Sequence, residues 1–106
     1  MPNVMIKKKN HPQIEDIEIA DVLHALGDPV RLAVVRKLYE SKTPLTCQQA
    51  VDGIPNLPVA SRSRCFEMLR QGGVLKSEPI GRECYNSLRL KELNKKFPNL
   101  IKTILK

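Results

Sequence analysis

The chain has 106 residues, 42% of them hydrophobic and 27% charged, the length and balance of a single globular domain with one modest core. Its longest uninterrupted apolar run, Leu32 to Val35, falls far short of the ~18–20 residues of a membrane span; no apolar stretch follows Lys7, Lys8 and Lys9, so no signal peptide is expected either. The charge of +7 is lopsided, with seven Lys/Arg and seven Asp/Glu in residues 1–57 but eleven against four in residues 58–106, which predicts a polyanionic partner such as nucleic acid for the second half.

Residues 1–13 read as a flexible basic N-terminal arm, ended by His11-Pro12, and residues 14–106 as one folded domain. From Ile14 the pattern is helical, with Ile19, Val22, Leu23 and Leu26 at i, i+3, i+4 and i+7. Gly27 stops this helix. Asp28-Pro29 starts the next, with Asp28 as N-cap and Pro29 at the first helical position. Val30, Leu32, Val34, Val35 and Leu38 make that second helix, running to about Tyr39, apolar on more than one side and so central. A third helix opens at Thr46, where Thr46-x-x-Gln49 has capping-box spacing. Gly53 closes it and Ile54-Pro55-Asn56-Leu57 turns the chain. Pro58 starts a fourth helix that ends at Gly72-Gly73 and carries Arg62, Arg64 and Arg70. Helix, short turn and arginine-rich helix form the outline of a helix-turn-helix.

After Gly73 the period changes to two. Val74–Glu78 and Glu83–Leu88 are strand candidates around Pro79-Ile80-Gly81-Arg82, a hairpin placed as a wing. Leu90 to Lys106 is helical again, with Leu93, Phe97, Leu100, Ile101, Ile104 and Leu105 apolar and Pro98 as a break. The predicted fold is mainly α with a small β-hairpin, a winged helix-turn-helix in the order α-α-α-α-β-β-α.

Four blocks of residues carry a resemblance. Asp21-Val-Leu-His-Ala-Leu-Gly-Asp-Pro-Val-Arg-Leu32 resembles the opening of arsenical-resistance-repressor (ArsR) family regulators. Ser63-Arg-Cys-Phe-Glu-Met-Leu-Arg-Gln-Gly-Gly-Val-Leu75 is similar to that family's recognition helix running into its wing, and Gly81-Arg82 with Asn86-Ser87-Leu88-Arg89 to its wing and second strand. Lys96-Phe97-Pro98-Asn99-Leu100 resembles a C-terminal pattern of one branch. The likeness covers about residues 15–105. It implies a homodimeric, sequence-specific DNA-binding repressor whose terminal helices form the dimer interface.

A recognition helix presents its N-terminal residues to the major groove. Phe66 and Leu69 supply the inner face, which leaves Ser61, Ser63 and Arg64 toward solvent with Val59 and Ala60 near the helix start. Arginine can read guanine O6 and N7 in a bidentate pair, and Arg64 is the first candidate for that role. Its plain alternative is phosphate neutralisation. Arg62 departs from the family, which usually has an aliphatic residue four positions before Phe66; its stem is expected along the core edge with its head at a phosphate. Val59 and Ala60 replace polar residues common in the branch, and Cys65 a frequent histidine, so a different operator is expected. Arg82 at the wing tip is placed for a minor groove or flanking phosphate, and Gln48 for the DNA backbone. Ile19, Leu23, Leu93, Phe97, Leu100, Ile101 and Ile104 carry more apolar surface than one winged helix covers and are expected in the dimer interface.

The ligand sets of the family's metal sensors are incomplete. Its thiolate sensors place Cys-x-Cys at the start of the third helix, where this chain has Cys47 and Gln49. Its zinc sensors use Asp and His pairs on the last helix, where residues 90–106 offer only Glu92. Zinc asks for about four ligands, so neither a metal nor another cofactor is expected. Asp21, His24 and Asp28 share a helical face, which reads as a cap beside a surface histidine before it reads as a metal site. Cys47, Cys65 and Cys84 are odd in number and form no Cys-x-x-Cys, as in a cytoplasmic protein with reduced thiols. Cys47 at a helix start is a small buried side chain or, as a minor alternative, a redox switch. A protein-interaction winged helix would not need so basic a fourth helix. An enzyme would need a nucleophile dyad, a carboxylate pair or a phosphate loop, none of which is legible. The sequence therefore predicts a cytoplasmic, homodimeric repressor on a near-palindromic double-stranded DNA operator, released by an unspecified signal.

Overall fold

Glu18 lies in extended backbone and its N–H donates to Asp21 Oδ2 at 2.9 Å, a cap that begins the first α-helix, α1 (Ile19–Leu26). The Ile14 start predicted from periodicity is thus five residues early. Ile14–Asp16 is instead a 3₁₀ turn, and Ile17, the residue after it, is 1% exposed in the core. The structure, a computed structural model, describes residues 11–55 and 57–106. Lys7, Lys8 and Lys9 of the expected arm and Asn56 of the expected turn lie outside these.

Asp28 restarts the chain as predicted: its Oδ2 accepts from the N–H groups of Val30 and Arg31, both at 3.0 Å, and Pro29 opens α2 (Pro29–Glu40). Thr46 and Gln49 form the predicted capping box around α3 (Cys47–Val51), with Gln49 Oε1 accepting from Thr46 N–H at 2.9 Å. Helix α4 (Val59–Gln71) follows Pro58. It ends with Gly73 N–H on Arg70 O and Val74 N–H on Leu69 O, each 3.0 Å, the paired bonds of a Schellman motif that needs a left-handed residue at Gly73. Gly73 supplies it, with φ +80°.

Strands β2 (Leu75–Ile80) and β3 (Glu83–Leu88) pair antiparallel from Leu75 opposite Leu88 to Ile80 opposite Glu83. The turn is therefore only Gly81-Arg82, shorter than the four residues predicted. Gly81, at φ +64°, takes the first central position, as a two-residue hairpin of the II′ kind requires. Pro79 stays in β2 because β2 is an edge strand, where a residue without N–H is tolerated. A third strand, β1 (Leu45–Thr46), was not predicted; it pairs with β3 through Leu45–Asn86 and Thr46–Tyr85, giving the sheet order β1-β3-β2. The last helix is two, α5 (Leu90–Lys96) and α6 (Leu100–Ile104), broken at Pro98 with Asn99 in the left-handed region at φ 62°.

Helix α2 is central, as its apolar faces predict: it touches α1, α3, α4 and β3. Phe66, Leu69, Ile17, Leu75, Leu93, Ile101, Val22, Val34, Val35 and Val74 are the largest apolar side chains closed off from solvent. Cations tie both ends of the chain to this core. Lys96 Nζ donates to the carbonyls of Ile14, Glu15 and Ile17, Arg89 Nη1 to Pro12 O at 2.7 Å, and Arg36 Nη1 to Leu105 O. Arg89 also pairs with Glu92 at 2.8 Å, a bond that holds the Glu92 carboxyl below its ordinary range. His11 Nε2 accepts from Ser77 N–H at 3.0 Å. Residues 11–13, expected at the end of a free arm, are thus laid against the edge strand and α5. Among the described residues no helix is long and apolar enough to cross a membrane.

Candidate nucleic-acid interface

Phe66 and Leu69 face the core at 2% and 0% exposure, which turns the other side of α4 to solvent. Ser61, Ser63 and Arg64 are all exposed there, and Val59 and Ala60 are exposed at its first turn. Arg82 is exposed at the tip of the β2–β3 hairpin. The helix start and the wing tip therefore display the side chains that sequence pattern selected.

Two members of the predicted set are bonded to each other. Arg62 is half-buried, its Nη1 donates to Gln48 Oε1 at 3.2 Å, and its Nε is shut from solvent with no partner among the described residues. The expected stem along the core edge is what the structure shows, but the head is turned to the preceding helix of the motif. Gln48, expected at the DNA backbone, is the side chain that receives it. A buried N–H without an acceptor costs about 1–3 kcal/mol, which is why aliphatic residues suit this position better for stability alone.

A polar network not foreseen in the sequence fixes the wing to α4. Asn86, fully buried on β3, accepts from Ser77 Oγ at 2.7 Å and donates through Nδ2 to Leu45 O at 3.1 Å. Arg70, in the last turn of α4, donates to Ser77 Oγ at 3.3 Å. Recognition helix, both long strands and β1 meet at these three side chains. The alternation of Leu75 and Ser77 as buried residues against exposed Lys76 and Glu78 is the signal that could have found Ser77. Satisfied buried networks of this kind specify one arrangement of the elements they join.

The fold is shared with solved structures. An ArsR family transcriptional regulator superposes with a TM-score of 0.65 at 19% identity, over 81% of this chain and 91% of that one. An ArsR-like transcriptional regulator from Rhodococcus sp. RHA1 gives 0.63 at 22%, over 80% and 77%, and the transcriptional repressor BigR from Xylella fastidiosa gives 0.59 at 22%, over 74% and 85%. No protein-family model matches the sequence. Across 100 residues, however, the chain is 30% identical to the helix-turn-helix-type transcriptional regulator YceK of Bacillus subtilis (strain 168), covering 94% of this chain and 95% of that one. The chain belongs to the helix-turn-helix-type transcriptional regulators, and its fold is that of the ArsR family structures. It is a regulator by family, not an enzyme.

Against the ArsR family's ligand sets, the acidic residues near α1 are already engaged. Asp21 caps α1 and Asp28 caps α2, and among the described residues no three His, Cys, Asp or Glu cluster closely enough to hold a metal ion. Cys47, half-buried at the start of α3, accepts from Asn86 Nδ2 at 3.5 Å. Cys65 is buried on α4. Desolvation pushes its thiol up to about 11, against a smaller lowering by the Arg31 guanidinium, so it stays a neutral, packed side chain near pH 7.

The expected dimer residues separate into three groups. Ile19 and Leu23 are 47% and 48% exposed on α1, at the edge of the face that buries Val22, Ala25 and Leu26. Phe97, Leu100 and Ile104 are half-buried and pack on the core. Leu93 and Ile101 correct the expectation: each is 1% exposed within the single chain, so neither has surface left for a second copy. Their apolar faces are consumed by α5 and α6 folding back onto the domain.

Proposed function

We propose that this regulator is an ArsR-type, cytoplasmic homodimeric repressor of a near-palindromic DNA operator, with α4 in the major groove and Arg82 of the wing on the flanking backbone. The observation that carries the reading is the exposed row Ser61, Ser63 and Arg64 on a helix whose far end is bonded to the wing through Arg70 and Ser77. The similar fold of BigR, a transcriptional repressor, favours repression over activation. Neither a zinc nor an arsenite site of the family's kind is part of the proposal, and the releasing signal is left to another chemistry.

Binding isotherms on operator and scrambled duplex test the assignment of roles. Arg64→Ala should lose about 1–3 kcal/mol of discrimination at one operator position. Arg82→Ala should weaken binding to both duplexes alike and lower the salt slope by about 1. An unchanged ratio of specific to non-specific affinity in Arg64→Ala would displace the recognition face.

The second copy is placed on Ile19 and Leu23, continued by Phe97, Leu100 and Ile104. Leu23→Asp is a cleaner probe than a change at Leu100, because Leu23 is 48% exposed and its loss leaves the core intact. Sedimentation at micromolar concentration should show a wild-type dimer and a folded Leu23→Asp monomer with weakened operator binding. A monomeric wild type would end the dimer reading.

A further inference from the structure

We infer that Val59, with Ala60, reads the C5-methyl group of thymine, so that each operator half-site carries a methyl-dependent thymine in addition to the guanine read by Arg64. The inference rests on the DNA reading proposed above and adds the chemistry of the base that the helix start selects.

Val59 is the most exposed large apolar side chain of the described residues, at 70%. Nothing in the fold requires valine there. The cap position is Pro58, which makes no side-chain cap bond, and the core beneath is filled by Phe66 and Leu69. A β-branched side chain in a helix is held close to one rotamer, so Val59 offers a stiff apolar surface that loses little freedom on contact. Ala60 beside it is exposed as well.

The major groove displays one methyl group, that of thymine; apart from the flat C5–H of cytosine, the other base-edge features there are hydrogen-bond donors or acceptors. Valine and alanine can satisfy none of those, and covering one without a partner leaves a desolvated polar atom. An apolar helix start therefore prefers thymine twice, by contact with the methyl and by penalty against the other bases. The neighbouring side chain that could have supplied hydrogen-bond readout is withdrawn: Arg62 bonds Gln48 at 3.2 Å and buries its Nε. Arg64 stays exposed.

The test begins with selection of bound duplexes from a randomised pool by the full chain. Each thymine of the selected half-site is then replaced by uracil, which deletes the C5-methyl and nothing else. One uracil should cost about four-fold in affinity, the worth of one buried methyl, and 5-methylcytosine in place of cytosine at the same step should recover part of the affinity lost on going from T·A to C·G. In Val59→Ala, a change of an exposed side chain that leaves the fold alone, the uracil effect at that step should vanish while the guanine preference assigned to Arg64 persists. Sequence-specific binding without a uracil-sensitive thymine, or with one that Val59→Ala does not alter, overturns the inference and spares the DNA reading. A pool without enrichment overturns both.

Discussion

Operator affinity should fall about 10³- to 10⁵-fold between 50 and 200 mM salt, the response of a protein that neutralises six to ten phosphates. The formal charge alone would suggest more contacts than the structure leaves available. Arg36, Lys37, Arg89 and Lys96 spend their donors on the chain's own carbonyls, Arg31 on those of Ala25 and His24, and Arg70 on Ser77. Around α4 and the wing, Arg64, Lys76 and Arg82 remain exposed, which gives roughly six cations per dimer. A log–log plot of affinity against salt reads the number directly from its slope. A flat plot would remove nucleic acid as the partner.

Gly73→Ala should be the most destabilising single-methyl addition in the chain. At φ +80° any side chain is strained, and a Cβ would lie 2.1 Å from Ile17 Cδ1 and 2.7 Å from Ile17 Cγ1. Ile17 cannot swing away, being 1% exposed. A left-handed non-glycine residue costs about 1–2 kcal/mol and overpacking about 1–3 kcal/mol; together, about 2–5 kcal/mol is a large part of the ~5–15 kcal/mol that holds a domain folded. Gly53→Ala is the control, since Gly53 has φ +90° but nothing within 4 Å of its added Cβ. Urea unfolding should show Gly53→Ala losing only the backbone strain, and Ile17→Ala should recover stability when added to Gly73→Ala but not to the wild type. Equal losses for the two glycines would show that the contact with Ile17 is not what Gly73 is for.

Local chemistry was enough to read much of this molecule from its sequence. Asp28-Pro29 and Thr46-x-x-Gln49 start helices because a short polar side chain satisfies N–H groups two or three residues away, a matter settled within one turn. Gly72-Gly73 ends a helix and Gly81 marks the hairpin turn, and the period of Phe66 and Leu69 turns Ser61, Ser63 and Arg64 outward without reference to any other element. With the blocks Asp21–Leu32 and Ser63–Leu75 resembling ArsR regulators, the helix-turn-helix and its exposed residues were legible before any coordinates.

What the tertiary structure alone decided depends on partners distant in sequence. A two-residue strand at Leu45–Thr46 has no pattern of its own and exists only because β3 is there to receive it. Periodicity marks Ile19 and Leu23, and Leu93 and Ile101, equally as apolar; only the fold back of α5 and α6 buries the second pair and leaves the first exposed. Composition counted Arg62 as a cation for DNA, yet its Nη1 donates to Gln48, fourteen positions away, and its head is taken out of the exposed row. Hydrogen bonds and burial between remote residues are set by geometry that pattern within a segment does not encode.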